Sequence, residues 1–109
     1  MNPGELNQRI IIEELATAHD DGGGYSQEWI AFAAAWASVK GITGSERYAA
    51  HQIEAVIDHE VKIRYRTGIK AAMRIRNSDR VLNIKAVFDP EGKRRVLILL
   101  CEEEQGNGS

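Results

Sequence analysis

The sequence predicts a small, mainly β protein: an antiparallel β-barrel or sandwich of about six strands with one short helix. Three observations carry this. Residues 59–69, HEVKIRYRTGI, place Val61, Ile63 and Tyr65 in strict alternation with Lys62, Arg64 and Arg66, the period of two of a strand with one buried face. Residues 80–101, RVLNIKAVFDPEGKRRVLILLC, read as two further strands around an Asp89-Pro90-Glu91-Gly92 turn. A chain of 109 residues, 43% of them hydrophobic, is enough for one core and not for two.

The remaining elements follow in order. Residues 6–15 (LNQRIIIEEL) read as a first strand, centred on β-branched Ile10, Ile11 and Ile12. The stretch His19-Asp20-Asp21-Gly22-Gly23-Gly24 reads as a turn or flexible loop, because three glycines hold regular structure at a high entropic cost. Residues 27–40 (QEWIAFAAAWASVK) mix helix-favouring alanines with strand-favouring Trp29, Trp36 and Val39. They are expected to form a strand near 29–32, a short irregular link, and a strand over 35–41, with the glycine turn as a hairpin tip.

Residues 42–55 (ITGSERYAAHQIEA) are the expected helix. Thr43 or Ser45 can cap its first turn, Glu46 complements the helix dipole, and Tyr48, Ala49, Gln52, Ile53 and Val56 fall on one face. A strand over 56–66 follows, then a loop with a short turn over 67–76 and a tight turn at Asn77-Ser78-Asp79. Strands over 80–89 and 93–102 pair as the last hairpin, with Leu82, Ile84, Ala86 and Phe88 on one face. Residues 96–100 are apolar on both faces, which suits a central strand covered by the helix on one side and a neighbouring subunit on the other. The domain is expected to span 1–104, with 105–109 a disordered polar tail.

The net charge of −2 hides a separation: residues 1–61 carry −7, residues 62–95 carry +8, and the end of the chain carries Glu102, Glu103 and Glu104. Segregation of this kind suits contact between charged partners, such as an acidic surface meeting a basic one on a second copy. No run of 18 apolar residues is present and the first residues lack a signal-peptide pattern, so no membrane association is expected. The single cysteine, Cys101, lies in an apolar run and is expected to pack, in keeping with a reducing cytosol.

Motifs that carry chemistry are hard to find. A phosphate loop at Asp21-Gly22-Gly23-Gly24 would need a Lys-Ser/Thr pair, whereas Tyr25-Ser26-Gln27 follows and the next lysine is Lys40. His51 and Glu54 lie at i, i+3 without the further ligands a zinc site requires. The pairs Glu13-Glu14 and Asp20-Asp21 put neighbouring carboxylates on opposite strand faces, so neither forms a dyad. Ser45 stands in GSER without the second glycine of a nucleophile elbow. No catalytic residue, cofactor or metal is therefore expected. Lys62, Arg64, Arg66, Lys85, Arg94 and Arg95 form a basic stripe suited to phosphates. Base stacking is not expected there, because Tyr65 is in phase with the buried Val61 and Ile63.

Taken together, the chain resembles the small head–tail joining proteins of siphophages, also called head closure or head–tail adaptor proteins. The resemblance rests on an ordered set over residues 4–103: Gly4-Glu5-Leu6 and Arg9-Ile10, a glycine loop before Trp29, Trp36-Ala37-Ser38-Val39, Gly44-Ser45-Glu46 with Ala50 and Gln52, then His59 to Arg66 with Gly68-Ile69. Met73-Arg74-Ile75, the strand over 80–87, Asp89 with Gly92, and Leu99-Leu100-Cys101-Glu102 complete it.

The resemblance implies a non-enzymatic virion protein, assembled in the host cytoplasm as a homo-oligomeric ring. A portal or adaptor ring would lie above it and a tail or tail-completion protein below, and it would help retain packaged DNA. On that basis Lys62, Arg64, Arg66, Arg94 and Arg95 are expected to approach DNA or a neighbouring subunit. Asp21, Gly22, Gly23, Gly24, Ser45 and Glu46 would face neighbouring proteins. A stand-alone nucleic-acid-binding barrel and a tail completion protein are the alternatives.

Overall fold

The computed structural model describes residues 5–19, 22–42 and 57–104. Six antiparallel strands form a closed barrel: β1 (Gln8–His19), β2 (Tyr25–Gly41), β3 (His59–Arg64), β4 (Arg74–Asn77), β5 (Arg80–Phe88) and β6 (Val96–Glu103). Around the barrel the order is β1-β2-β3-β6-β5-β4, and β4 returns to β1. The expected helix over 42–55 lies, apart from Ile42, outside the described residues. The Ile42 amide donates to the Asp58 carbonyl at 3.0 Å, which holds the two ends of that segment together.

The interior follows from alternation. Ile10 and Ile12 from β1, Val61 and Ile63 from β3, Ile75 from β4, Leu82 and Ile84 from β5, and Leu97, Leu99 and Cys101 from β6 point inward and are almost completely buried. A six-stranded barrel has room only for side chains in its interior. Opposite the isoleucines of β1, β2 contributes alanines, with Ile10 facing Ala35 and Ile12 facing Ala33. Small residues beside large ones suit so narrow an interior. Burial pushes the Cys101 thiol up to about 12, with the nearby Asp58 carboxylate adding to the effect. Cys101 is a packing residue, as expected.

Four expectations are corrected. The first concerns 27–40, where no link interrupts the strand. The chain runs unbroken from Tyr25 to Gly41, and the irregularity is a single-residue bulge: Ile12 pairs with Ala33 and Glu13 with Ala31, leaving Phe32 without a partner. Pairing along the whole of β1 overrides the helix preference of the alanines. The second concerns 67–76. Within the expected loop, Arg74–Asn77 is the strand that closes the barrel, with Ile75 fully buried between Arg74 and Arg76.

The third is the phase of the last hairpin. Ile84 pairs with Cys101 and Ala86 with Leu100, so Lys85 is bulged out. The alternation then reverses, Val87 packs on the core, and Phe88 lies 44% exposed. The fourth concerns β6. Val96, Leu97, Ile98 and Leu99 are all buried within the single chain, so its double coverage does not require a neighbouring subunit. Strand ends also move: β1 starts at Gln8 and continues to His19, β3 is shorter than expected, and β6 starts at Val96.

The seam between β4 and β1 is three residues long, pairing Ile11 with Arg76, Ile12 with Ile75 and Glu13 with Arg74. Side chains reinforce it. Arg74 Nε donates to Glu13 Oε1 at 2.7 Å with both side chains only 13% exposed, and Arg76 Nε reaches Glu13 Oε2 at 3.4 Å. Asn77 donates to Gln8 at 2.9 Å. Removing one member of so sheltered a pair leaves the other charge desolvated and alone. Glu13→Ala should therefore cost about 3 kcal/mol in urea unfolding. Glu14→Ala, one residue along on the opposite face, should stay within about 0.5 kcal/mol. Equal losses would contradict this account of the seam.

Candidate interaction surface

Beyond the barrel, β1 and β2 continue as a two-stranded arm. β4 pairs with β1 only at Ile11–Glu13, and β3 pairs with β2 only from Ala37 to Gly41. The β1–β2 ladder nevertheless runs on to His19↔Tyr25. Some six residue pairs past the last barrel contact amount to an arm of about 20 Å. It accounts for the elongated 49 × 28 × 25 Å shape. The expected hairpin tip is at its end, with Gly23 at φ +83°, a conformation that glycine adopts at little cost. Asp21 lies outside the described residues.

The two faces of the arm differ. On the outer face, Leu15 pairs with Trp29 and His19 with Tyr25, whose rings lie 4.7 Å apart. The Arg74 guanidinium stacks 4.3 Å over Trp29, and on the barrel before the seam Arg9 lies 5.6 Å over Trp36. On the other face, continuous with the barrel interior, Glu14 pairs with Ile30 and Ala16 with Glu28. Ile30 is 40% exposed. Neither Glu14 nor Glu28 takes part in an ion pair among the described residues. Glu13 and Glu14 do point to opposite faces, as expected.

The basic residues fall into two groups. Lys62 donates to Glu5 at 3.0 Å, and Lys85 lies 3.7 Å from Glu102. Arg64, Arg66, Arg94 and Arg95 are exposed, and none is ion-paired among the described residues. The topology brings these four to one end of the barrel: Arg64 pairs with Val96, and the Tyr65 amide donates to the Arg95 carbonyl at 3.0 Å. Asp89 shapes the loop that carries Arg94 and Arg95. Its carboxylate accepts from the amides of Arg94 at 2.8 Å, Gly92 at 2.9 Å and Glu91 at 3.2 Å. The Arg94 bond, ahead of those from Gly92 and Glu91, lowers its pKa.

Where β2 leaves β3, Ala34, Ala35, Trp36 and Tyr65 line a notch of about 210 Å³ with Arg64 and Arg66 at its edge. Tyr65 packs on the core as expected, but Trp36 is 53% exposed. An exposed aromatic therefore does stand beside these arginines, contrary to the expectation drawn from Tyr65 alone. Trp36 belongs to a different strand, and only the β2–β3 register reveals its position.

His59 is structural. Its Nδ1 is 2.8 Å from Asp58 and its Nε2 is 2.6 Å from Arg80, which also bonds Glu103. Accepting from Arg80 at Nε2 puts the ring proton on Nδ1, facing Asp58. Among the described residues no group of three or more His, Cys, Asp or Glu side chains is placed to hold a metal ion. Ser45, Glu46, His51 and Glu54 lie outside the described residues.

Residues 1–104 match the family of phage head completion proteins. The chain belongs to that family. Its role is thereby that of a structural component of the virion that completes the phage head. The solution structure of a protein from Shigella flexneri 2a is similar over 94% of this chain and 96% of its own, at 34% identity and a TM-score of 0.78. A chain from the virion of a native gene transfer agent particle has the same fold, with 24% identity over 91% of this chain and 96% of its own and a TM-score of 0.64. No individually curated protein matches the chain.

The Asp89 turn can be tested by titration. The bonds its carboxylate accepts lower its pKa, so they are intact above the ordinary carboxylate range and fail as the pH falls through the lowered value. The amide NMR signals of Glu91, Gly92 and Arg94 should move together with a midpoint below 3.8, the ordinary Asp value. Asp89→Ala should abolish that transition and loosen the loop at neutral pH.

Proposed function

We propose that this head completion protein joins the DNA-filled head to the tail and helps retain the packaged DNA. In this reading it forms a homo-oligomeric ring with a portal or adaptor ring above and a tail or tail-completion protein below. It assembles in the host cytoplasm. The reading rests on the family match together with one structural observation: two unlike exposed surfaces, an arm and an arginine-rich barrel end, project from a barrel whose core is complete without a partner. Unlike surfaces on one chain suit head-to-tail contacts, which close into a ring when the rotation allows. No step of the proposal requires catalysis.

Arg64, Arg66, Arg94 and Arg95, with Lys62 behind them, are the residues assigned to contact with a neighbouring subunit or with DNA. The Gly22–Gly24 tip, with Asp21, and the segment holding Ser45 and Glu46 are assigned to neighbouring proteins. A second reading, a nucleic-acid-binding barrel acting alone, draws on Trp36 beside Arg64 and Arg66. One face of that indole is already taken by Arg9, which leaves a poor platform for stacking.

Electron microscopy of a lysate from phage or induced prophage lacking the gene should show separate finished tails and heads that have lost DNA. Normal tailed particles would overturn the joining role. Arg64→Glu with Arg66→Glu should also block joining, whether the arginines meet DNA or protein. A salt-dependent DNA affinity of the isolated monomer, combined with normal particles, would favour the second reading.

A further inference from the structure

The geometry points to a knob-and-hole contact between copies, in which Ile30 of one arm seats in the Arg64–Arg66 notch of the next barrel. Glu14 and Glu28 then pair with the two guanidinium groups. This deepens the ring reading above and rests on it.

The knob is a single exposed aliphatic side chain with a carboxylate on either side. Glu14 lies directly across the ladder from Ile30, and Glu28 is two residues along the same strand and face. The hole has the reciprocal pattern: Ala34, Ala35, Trp36 and Tyr65 give it apolar walls, with Arg64 and Arg66 beside them. Its volume of about 210 Å³ accepts one branched aliphatic side chain with room for adjustment. Glu14 and Glu28 are diagonal neighbours across the β1–β2 ladder, roughly 7–8 Å apart, and they face two arginines separated by one residue in the chain. All four charged groups lack an ion-pair partner among the described residues.

The occupant is a second copy, because the chain cannot fill its own notch. Ile30 and Ala34 belong to one unbroken strand, which holds them about 13 Å apart. Bending the arm back would break the β1–β2 ladder on both sides of the Phe32 bulge. Ile30 stands exposed at the root of the arm, in the first ladder pair past the seam, where a neighbouring barrel can meet it. Knob and hole are different surfaces of one chain, so the contact is heterologous and each copy offers one of each.

A charge exchange tests this, with each variant first checked for a wild-type thermal melt. In lysates lacking the chromosomal gene, Glu14→Arg with Glu28→Arg should lower the yield of tailed particles at least about tenfold, as should Arg64→Glu with Arg66→Glu. The chain carrying all four changes should restore most of that yield, because the pairing is re-formed with its signs reversed. Ile30→Asp should act like the arm variant and gain nothing from the exchange. If the arm variants join heads to tails normally, or if the four-change chain stays as defective as the arginine variant, the inference fails. The second result would assign the arginines to DNA, with head closure intact. Failure of the ring reading itself would appear differently, as normal particles when the gene is absent altogether.

Discussion

Closure of the barrel depends on the shortest strand in it. β4 pairs with β1 over three residues, and the sheltered Glu13–Arg74 pair joins the same two strands. An open six-stranded sheet would leave β1 and β4 with free edges and expose Ile12 and Ile75, which the closed barrel buries completely. The seam also sets where the arm begins. Past Glu13, β1 has no partner other than β2, and the hairpin leaves the barrel there. The Arg74 guanidinium that bonds Glu13 also covers Trp29 at the root of the arm. One side chain thus couples closure of the core to the position of the projection.

Two bulges adjust what strict alternation would otherwise dictate, and they explain where the sequence was legible. The strand over 59–64 was readable because both its faces keep one phase from end to end, with Val61 and Ile63 inward and Lys62 and Arg64 outward. The last hairpin was readable as a pair of strands, but not in its details. A bulge inserts one residue without any residue type that announces it, and Lys85 looks from sequence like any solvent-facing lysine of a strand. The phase past it therefore inverted, and Phe88 emerged on the surface instead of in the core. Arg74-Ile75-Arg76-Asn77 did carry a period of two. Four residues are too few for that signal to stand out from a loop.

The basic half of the interaction surface was visible as a run of lysines and arginines. Which of them are free to act was not, because neutralisation depends on pairings from elsewhere in the chain: Glu5 for Lys62 and Glu102 for Lys85. The acidic half was visible only as an excess of charge in the first 61 residues. Glu14, Ile30 and Glu28 become neighbours through the β1–β2 register, and no local pattern in either strand marks them. Trp36 faces outward between Ala35 and Ala37, and its place beside Arg64 and Arg66 was hidden for the same reason.

A freestanding arm poses the problem of every exposed strand edge, an open row of backbone donors and acceptors that invites unspecific pairing. The composition of this arm works against that. Glu14 and Glu28 place like charges on one face, so two arms approaching edge to edge with those faces aligned would bring carboxylates together at a cost. On the outer face the Arg74 guanidinium, held by Glu13, covers Trp29, which leaves less aromatic surface open to unspecific pairing. A surface that repels its own kind but carries an uncovered aliphatic residue between two acids is selective for a basic, notched partner. The barrel that carries the arm presents such a notch where β2 leaves β3. The acids that would keep free monomers apart are then the same groups that select the neighbour during assembly.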